Sequence, residues 1–136
     1  MLVKEVMTPN VDYIAHDKTL QEVADMMKTQ DIGEMPVVIG GEAVGVITDR
    51  DIAIRGVAHG LDPKAATVAD AMTEGIIVCR EDDDIQNAAQ TMAARKVRRL
   101  PVMNADGKLS GMVSLGDLAL NLDPAQAGEV LRGICQ

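Results

Sequence analysis

The sequence predicts an α/β (α+β) protein in which two copies of one βαββα unit form small mixed sheets flanked by helices. Two observations predict this fold class. Residues of the first half recur 65 or 66 positions later in a chain of 136 residues. Each copy also shows helical apolar spacing followed by two short apolar runs, as mixed α/β units do. A repeated unit that cannot bury its own apolar face usually packs against its copy.

The repeat is visible at matched positions along both halves. The matched pairs are Val3/Val68, Met7/Met72, Thr8/Thr73, Leu20/Ile85, Ala24/Ala89, Met27/Met92, Pro36/Pro101 and Val37/Val102. After one inserted residue, the segment Gly-Val-Ile-Thr-Asp-Arg-Asp at 45–51 is matched by Gly-Met-Val-Ser-Leu-Gly-Asp at 111–117. We call these two segments the signatures. The pattern predicts a first repeat over 1–62, a second over 63–123 and a C-terminal helix over 124–136.

Each repeat is predicted to begin with a short helical turn, at 3–7 or 68–72, and an extended segment, at 11–15 or 75–79. An amphipathic helix follows, because apolar residues recur at i, i+3, i+4 and i+7. These residues are Leu20, Val23, Ala24 and Met27 in one copy and Ile85, Ala88, Ala89 and Met92 in the other. Thr19 and Asp84 stand directly before these stripes, where an N-cap is expected.

Two strands are predicted next in each repeat. Segments 35–39 and 43–48 flank Gly40-Gly41, and segments 100–103 and 109–114 flank Asp106-Gly107; both dipeptides are hairpin turn signals. A further helix should begin at Asp49 or Leu115. Residues 60–66 link the repeats, and a last helix is expected from Pro124 to about residue 134.

Composition excludes several classes of function. A net charge of −8 argues against nucleic acid as a partner, because phosphate backbones require a basic surface. Two cysteines without metal-type spacing do not form a disulfide scaffold. No signal peptide or membrane-length apolar run is present, so we expect a cytoplasmic protein with no membrane partner. The core must be aliphatic, since Tyr13 is the only aromatic residue.

The signatures have two interpretations. Thr48 with Asp51, and Ser114 with Asp117, fit a capping box, which satisfies free N–H groups at a helix start. The same geometry suits a ligand, because a helix start offers backbone donors. The Asp carboxylate can accept hydrogen bonds from two adjacent ribose hydroxyls, as acids do in dinucleotide sites. The shared Gly and Pro residues favour the ligand interpretation, since capping requires neither.

Both repeats resemble the CBS motif, with its Gly-h-h-Thr/Ser-x-x-Asp ending and its apolar-Pro-Val strand, in which h is an apolar residue. The pair is similar to a tandem CBS (Bateman) module, and the run 48–56 with 60–63 resembles small stand-alone bacterial CBS pairs, including a hypoxic-response type. This resemblance implies pseudo-twofold packing, clefts between the motifs for AMP, ADP, ATP, NAD or S-adenosyl compounds, and homodimers.

The resemblance also implies which residues meet a ligand. Those expected at the ribose are Thr48, Asp51, Ser114 and Asp117, and those expected at phosphate are Arg50, Arg98 and Arg99. Those expected to line the base are Tyr13, Ile14, Ile32, Gly33, Met35, Pro36, Val78, Val97, Leu100 and Pro101. Gly33 and Glu34 stand where the second repeat has Arg98 and Arg99, so we expect two unequal sites.

The sequence favours a regulatory sensor of adenosyl ligands that acts through conformational or dimer rearrangement and is read by an unknown downstream protein. The alternative is a ligand-independent dimerisation module. No catalytic residue is predicted, because no nucleophile–base pair or phosphate-binding loop is present. His16 and His59 lack ligand spacing, so no metal and no obligatory cofactor are expected.

Overall fold

The computed structural model describes all 136 residues, which form two compact units. One unit, here called the central unit, is the continuous segment Asp12–Ile76. The other, here called the split unit, combines Met1–Val11 with Ile77–Gln136. The first eleven residues therefore pack with the half of the protein that contains the second signature.

Seven α-helices occur along the chain. They are α1 (Val3–Val6), α2 (Leu20–Gln30), α3 (Asp49–Asp51), α4 (Val68–Ala71), α5 (Ile85–Arg95), α6 (Leu115–Ala119) and α7 (Pro124–Cys135). A π-helical segment, Ile52–Val57, continues directly from α3. None of these helices is long and apolar enough to span a membrane.

Eight strands form two four-stranded sheets. They are β1 (Thr8–Pro9), β2 (Ile14–Ala15), β3 (Glu34–Ile39), β4 (Glu42–Thr48), β5 (Thr73–Glu74), β6 (Cys79–Arg80), β7 (Arg99–Met103) and β8 (Leu109–Ser114). The central unit has the order β2-β3-β4-β5, and the split unit has β1-β8-β7-β6. Each sheet joins one parallel pair to two antiparallel pairs. The predicted fold class of small mixed sheets flanked by helices is confirmed.

The main helices and hairpins lie where the apolar patterns predicted them. The side chain of Thr19 accepts a hydrogen bond from the Glu22 amide at 3.1 Å and caps α2. Asp84 holds the N-cap position of α5 but makes no side-chain cap hydrogen bond. Its carboxylate lies 4.0 Å from the amino group of Met1 instead.

The extended segments predicted at 11–15 and 75–79 are wrong in extent. Strand pairing is confined to Ile14–Ala15 and Cys79–Arg80, and two further short strands, β1 and β5, precede them. Asn10 and Gly75 have positive φ values of 54° and 77° between the short strands. A left-handed residue interrupts an extended chain, so the short strands on its two sides do not join, and each predicted segment is paired only at its C-terminal end.

Each unit has its own aliphatic core. In the split unit the residues that form this core are Val3, Cys79, Ile85, Ala88, Ala89, Met92, Leu100, Val102, Val113, Leu118, Leu122, Val130 and Ile134. In the central unit they are Ile14, Leu20, Val23, Met27, Met35, Val37, Ile47, Val68 and Ala71. The helical stripes predicted from the sequence supply a large part of both sets.

The glycine that opens each signature allows two strands to approach closely. A Cβ atom on Gly45 would lie 2.5 Å from the carbonyl oxygen of Thr73 in β5. A Cβ atom on Gly111 would lie 2.5 Å from the carbonyl oxygen of Thr8 in β1. Real Cβ atoms do not approach backbone oxygen so closely, so the short strands pair here only because the signatures begin with glycine.

Candidate functional site

Both signatures lie at the junction where a strand passes into a helix. Thr48 ends β4 and Ser114 ends β8, and each hydroxyl oxygen accepts a hydrogen bond from the amide of the Asp three residues later, at 3.0 Å and 3.1 Å. The carboxylates of Asp51 and Asp117 accept the amide hydrogens of Thr48 and Ser114 in return, at 3.0 Å and 2.9 Å. The capping interpretation is confirmed in both copies. The role in binding ribose stays a prediction.

The two signature acids have different surroundings. Asp51 is 7% exposed and forms an ion pair with Arg55. Asp117 is half-buried, and its carboxylate accepts only the Ser114 amide hydrogen and pairs with no cation. The same motif therefore presents a neutralised acid in the central unit and an uncompensated one in the split unit.

The neighbouring strand adds a second difference. Register places Glu34 of β3 opposite Thr48, but Arg99 of β7 opposite Ser114. Directly opposed residues on paired strands have side chains on the same face, within about 5 Å at Cβ. The hydroxyl of the second signature is therefore adjacent to a cation, and that of the first is adjacent to an acid.

The residues that precede β3 and β7 also differ in charge between the two units. The Asp49 amide donates to the carbonyl oxygen of Gly33 at 2.9 Å, and the Leu115 amide donates to that of Arg98 at 2.8 Å. A Cβ atom on Gly33 would lie 2.9 Å from a carboxylate oxygen of Asp49, so glycine leaves room for that acid. The start of the signature helix thus carries acids in the central unit and Arg98 in the split unit.

The arginines expected at phosphate all have exposed side chains. Nη2 of Arg98 lies 4.0 Å from Sγ of Cys135, at the end of α7. Arg99 begins β7, and Arg50 follows Asp49 in α3. Arg98 and Arg99 share the split unit with Asp117, whereas Arg50 shares the central unit with Asp51.

The residues expected to line the base divide into exposed and buried sets. Tyr13, Ile32 and Val78 are 55%, 39% and 38% exposed, Gly33 is also exposed, and Val97 is half-buried. The buried residues are Ile14, Met35, Pro36, Leu100 and Pro101, of which Ile14, Met35 and Leu100 belong to the cores. The role of this set in lining a base stays a prediction, and within it only the exposed residues present surface to solvent.

Sequence reasoning missed Arg55 and Thr73, which both contact Asp51. The Thr73 hydroxyl lies 3.5 Å from each carboxylate oxygen of Asp51, 22 residues away in sequence. The signal for Arg55 was present, because residues four apart face each other on a helix. No local pattern connects Thr73 to Asp51, since strand pairing brings them together.

Other chemistry-bearing residues are dispersed. No three His, Cys, Asp or Glu side chains among the 136 residues lie close enough together to hold a metal ion. Cys79 is buried, and this burial, with the nearby charge of Asp83, raises the pKa of its thiol to about 12. A protonated thiol is a poor nucleophile, so Cys79 acts as a core residue.

The two repeats match one family model, that of the CBS domain, over residues 3–56 and 68–123. The chain belongs to the CBS-domain family. The matched segments each contain one signature and together cover most of the sequence.

Curated relatives include small CBS proteins of similar length. The CBS domain-containing protein YhcV of Bacillus subtilis is 38% identical over 133 residues, which cover 97% of this chain and 94% of the relative. Hypoxic response protein 1 of Mycobacterium tuberculosis is 32% identical over 133 residues, covering 97% and 92%. The expected similarity to stand-alone CBS pairs of the hypoxic-response type is confirmed.

Solved CBS structures share the fold. A crystal structure of Hypoxic Response Protein I with two coordinated zinc ions superposes with a TM-score of 0.81 at 32% identity, covering 90% of this chain and 99% of that one. CBSX2 of Arabidopsis thaliana, in complex with AMP, gives 0.73 at 26% identity, covering 88% and 94%. The CBS pair of MJ0100, with 5′-methylthioadenosine and S-adenosyl-L-methionine, gives 0.73 at 25% identity, covering 89% and 94%.

Proposed function

We propose that this CBS pair is a regulatory module that binds an adenosine-containing ligand, such as AMP, ADP, ATP, NAD or an S-adenosyl compound. Binding would change its conformation or its dimer arrangement, and a downstream protein would read that change. One observation carries the proposal: Asp117, which pairs with no cation, lies in the first turn of α6, and at the end of the preceding strand β8 Arg99 is opposite Ser114. An acid and a cation at the same junction of strand and helix suit a sugar joined to a phosphate.

The chemistry of the split unit matches the parts of a nucleotide. The Asp117 carboxylate accepts hydrogen bonds from two ribose hydroxyls, and the Ser114 hydroxyl adds a donor or acceptor. Arg98 and Arg99 supply forked donors, which suit phosphate oxygens. The exposed face of Val78, with Val97, offers an apolar contact for the base. Adenosyl ligands bound to related CBS pairs support this assignment.

The first signature is expected to bind the same ligand less well. Glu34 is opposite Thr48, where the split unit has Arg99 opposite Ser114, and Asp49 lies beside Gly33, which is equivalent to Arg98. Like charges repel a phosphate at close range. Arg50 is the one phosphate candidate on this side, and we assign it a secondary role.

The test is binding of an adenosyl panel to the full chain and to two matched variants. Asp117→Asn and Asp51→Asn remove the charge but keep an oxygen that can cap the helix. A ligand at 100 times its Kd stabilises the native state by about 2.7 kcal/mol, which thermal unfolding detects. We expect Asp117→Asn to abolish most of the shift seen with AMP, ATP, NAD or S-adenosylmethionine. Equal losses in both variants would contradict the assignment to the second signature.

The alternative function is a ligand-independent interaction module, and we propose a homodimer in either case. Ile54 and Leu120 occupy equivalent positions after the two signatures and are 40% and 87% exposed. Large apolar side chains exposed at matched positions suit an interface with a second copy. Light scattering should give a dimer mass that falls to a monomer mass in Ile54→Glu/Leu120→Glu. A millimolar panel without any thermal shift, combined with a stable dimer, would favour the interaction module.

A further inference from the structure

The Asp51 carboxylate, which a ribose would have to contact, is already paired with the guanidinium of Arg55. Asp51 is 7% exposed, and one of its carboxylate oxygens accepts the Thr48 amide hydrogen at 3.0 Å. The other carboxylate oxygen accepts a hydrogen bond from Nη2 of Arg55. Both acceptor atoms of the first signature acid are therefore engaged within the central unit.

Arg55 is anchored on its other side as well. Its Nε donates to the carbonyl oxygen of Ala71 at 2.8 Å, and its Nη2 lies 3.0 Å from the Thr73 hydroxyl oxygen. Exposed surface ion pairs contribute little because both side chains move freely. Here three protein groups hold one guanidinium, and its partner acid is buried. Charge-assisted hydrogen bonds of this kind are stronger than neutral ones.

The second signature has no arginine at the position equivalent to Arg55. Asn121 stands at the position equivalent to Arg55, and its Nδ2 donates to the backbone oxygen of Asp117 at 2.9 Å rather than to the carboxylate. Thr8 of β1 stands where the central unit has Thr73. The difference between Arg55 and Asn121 therefore decides whether the acid of each signature has a counter-ion within its own unit.

We propose that Arg55 determines which signature can hold a sugar: its guanidinium occupies Asp51 and closes the first signature, and Asn121 leaves the second open. A ribose donates two hydroxyl hydrogens to the carboxylate. At Asp51 the Thr48 amide and the Arg55 guanidinium already engage the two oxygens, whereas the Asp117 carboxylate accepts only the Ser114 amide hydrogen. A ligand at this position must displace Arg55 from three partners. This inference rests on the proposed function, because it names the residue that makes its two sites unequal.

The test is calorimetric titration of the full chain with AMP. Wild type should bind one AMP per chain through Asp117. Arg55→Gln removes the cation, so a second ligand per chain should bind when the titration is repeated with adenosine, which has no phosphate for Glu34 and Asp49 to repel. Arg55→Gln/Asp51→Asn should lose that second event. Lys64→Gln removes an exposed cation of the same unit and should leave the stoichiometry at one. An unchanged stoichiometry in folded Arg55→Gln, beside a wild type that binds AMP, would overturn the inference alone.

A reciprocal variant at the second signature tests the inference even if Arg55→Gln, with its unpaired buried acid, does not fold. Asn121→Arg places the same side chain four residues after Asp117, so AMP should bind about tenfold more weakly, the loss expected when a charged hydrogen-bonding site is occupied. Unaltered affinity in Asn121→Arg would overturn the inference. If the wild type binds another member of the adenosyl panel instead of AMP, the same variants are titrated with that ligand. Absence of binding by every member would refute the proposed function, and the inference with it.

Discussion

The reactivity of Cys79 is determined by its surroundings in the fold. Its Sγ lies 3.8 Å from the Pro101 carbonyl oxygen inside the core of the split unit. Burial first, and the charge of Asp83 second, raise the pKa of this thiol from 9.0 to about 12. Cys135 by contrast is exposed at the end of α7. The two cysteines should therefore differ sharply in reactivity.

We predict that iodoacetamide modifies Cys135 in the native protein and reaches Cys79 only after unfolding. The raised pKa of the Cys79 thiol also predicts a pH effect on the free energy of unfolding.

Between the two pKa values the folded thiol keeps its proton while the unfolded thiol loses it. The contribution of Cys79 to the free energy of unfolding is therefore complete below pH 9.0 and declines between 9.0 and about 12. Urea unfolding measures it as the difference between wild type and Cys79→Ala. An identical alkaline decline in both proteins would contradict the assignment.

The residues of the site were only partly predictable from the sequence. The repeat identified Asp51 and Asp117 because it placed the same acid twice at a strand end. It did not show that Asp51 is neutralised, since Arg55 reaches it with help from Ala71 and Thr73, which strand pairing supplies. Equivalent sequence positions therefore predicted the same backbone conformation. Whether each acid is paired with a cation depended on contacts between residues that are distant in sequence.

At the scale of elements, the sequence predicted the helices and strands that carry a long apolar pattern, and it missed the shortest strands. Helices α2 and α5 and the hairpin of β7 and β8 carry long apolar patterns, and the structure confirms them. Strands β1 and β5 have two residues each, too few to show alternation. The continuation of α3 into a π-helical segment was also missed. A π-helix is defined by i→i+5 backbone hydrogen bonds, which the apolar pattern of the sequence does not reveal.

The glycine of the second signature provides a test of how β1 pairs with β8. In Gly111→Ala the new Cβ would lie 2.5 Å from the Thr8 carbonyl oxygen, and the strands must separate. Overpacking of this kind costs about 1–3 kcal/mol, so the free energy of unfolding should fall by that amount. Gly128→Ala, in α7 with no atom within 4 Å of the new Cβ, is the control and should be neutral or stabilising. Equal effects of both changes would argue against this strand contact.

At the scale of the whole molecule, the compact units do not begin and end with the repeats. The central unit takes β5 and the core residues Val68 and Ala71 from the second repeat. The split unit takes α1 and β1 from the first repeat, and Val3 is completely buried there. Each half of the fold is therefore completed by a segment that the sequence pattern assigns to the other.

This exchange predicts how fragments behave. A fragment of residues 12–76 retains a complete sheet and core, so it should show a helical circular dichroism spectrum and a cooperative thermal transition, although at reduced stability because short chains bury little surface. A fragment of residues 1–62 lacks β5, Val68 and Ala71 and should melt without cooperativity. Cooperative melting of the 1–62 fragment would show that the exchanged segment is dispensable.

The presence of one aromatic side chain in the chain has a practical consequence. Tyr13 is 55% exposed and stands at a position expected to line the base. With no tryptophan or phenylalanine in the sequence, all intrinsic ultraviolet emission comes from this single ring. Quenching of that emission by a purine would report a ligand bound beside Tyr13 without any added dye.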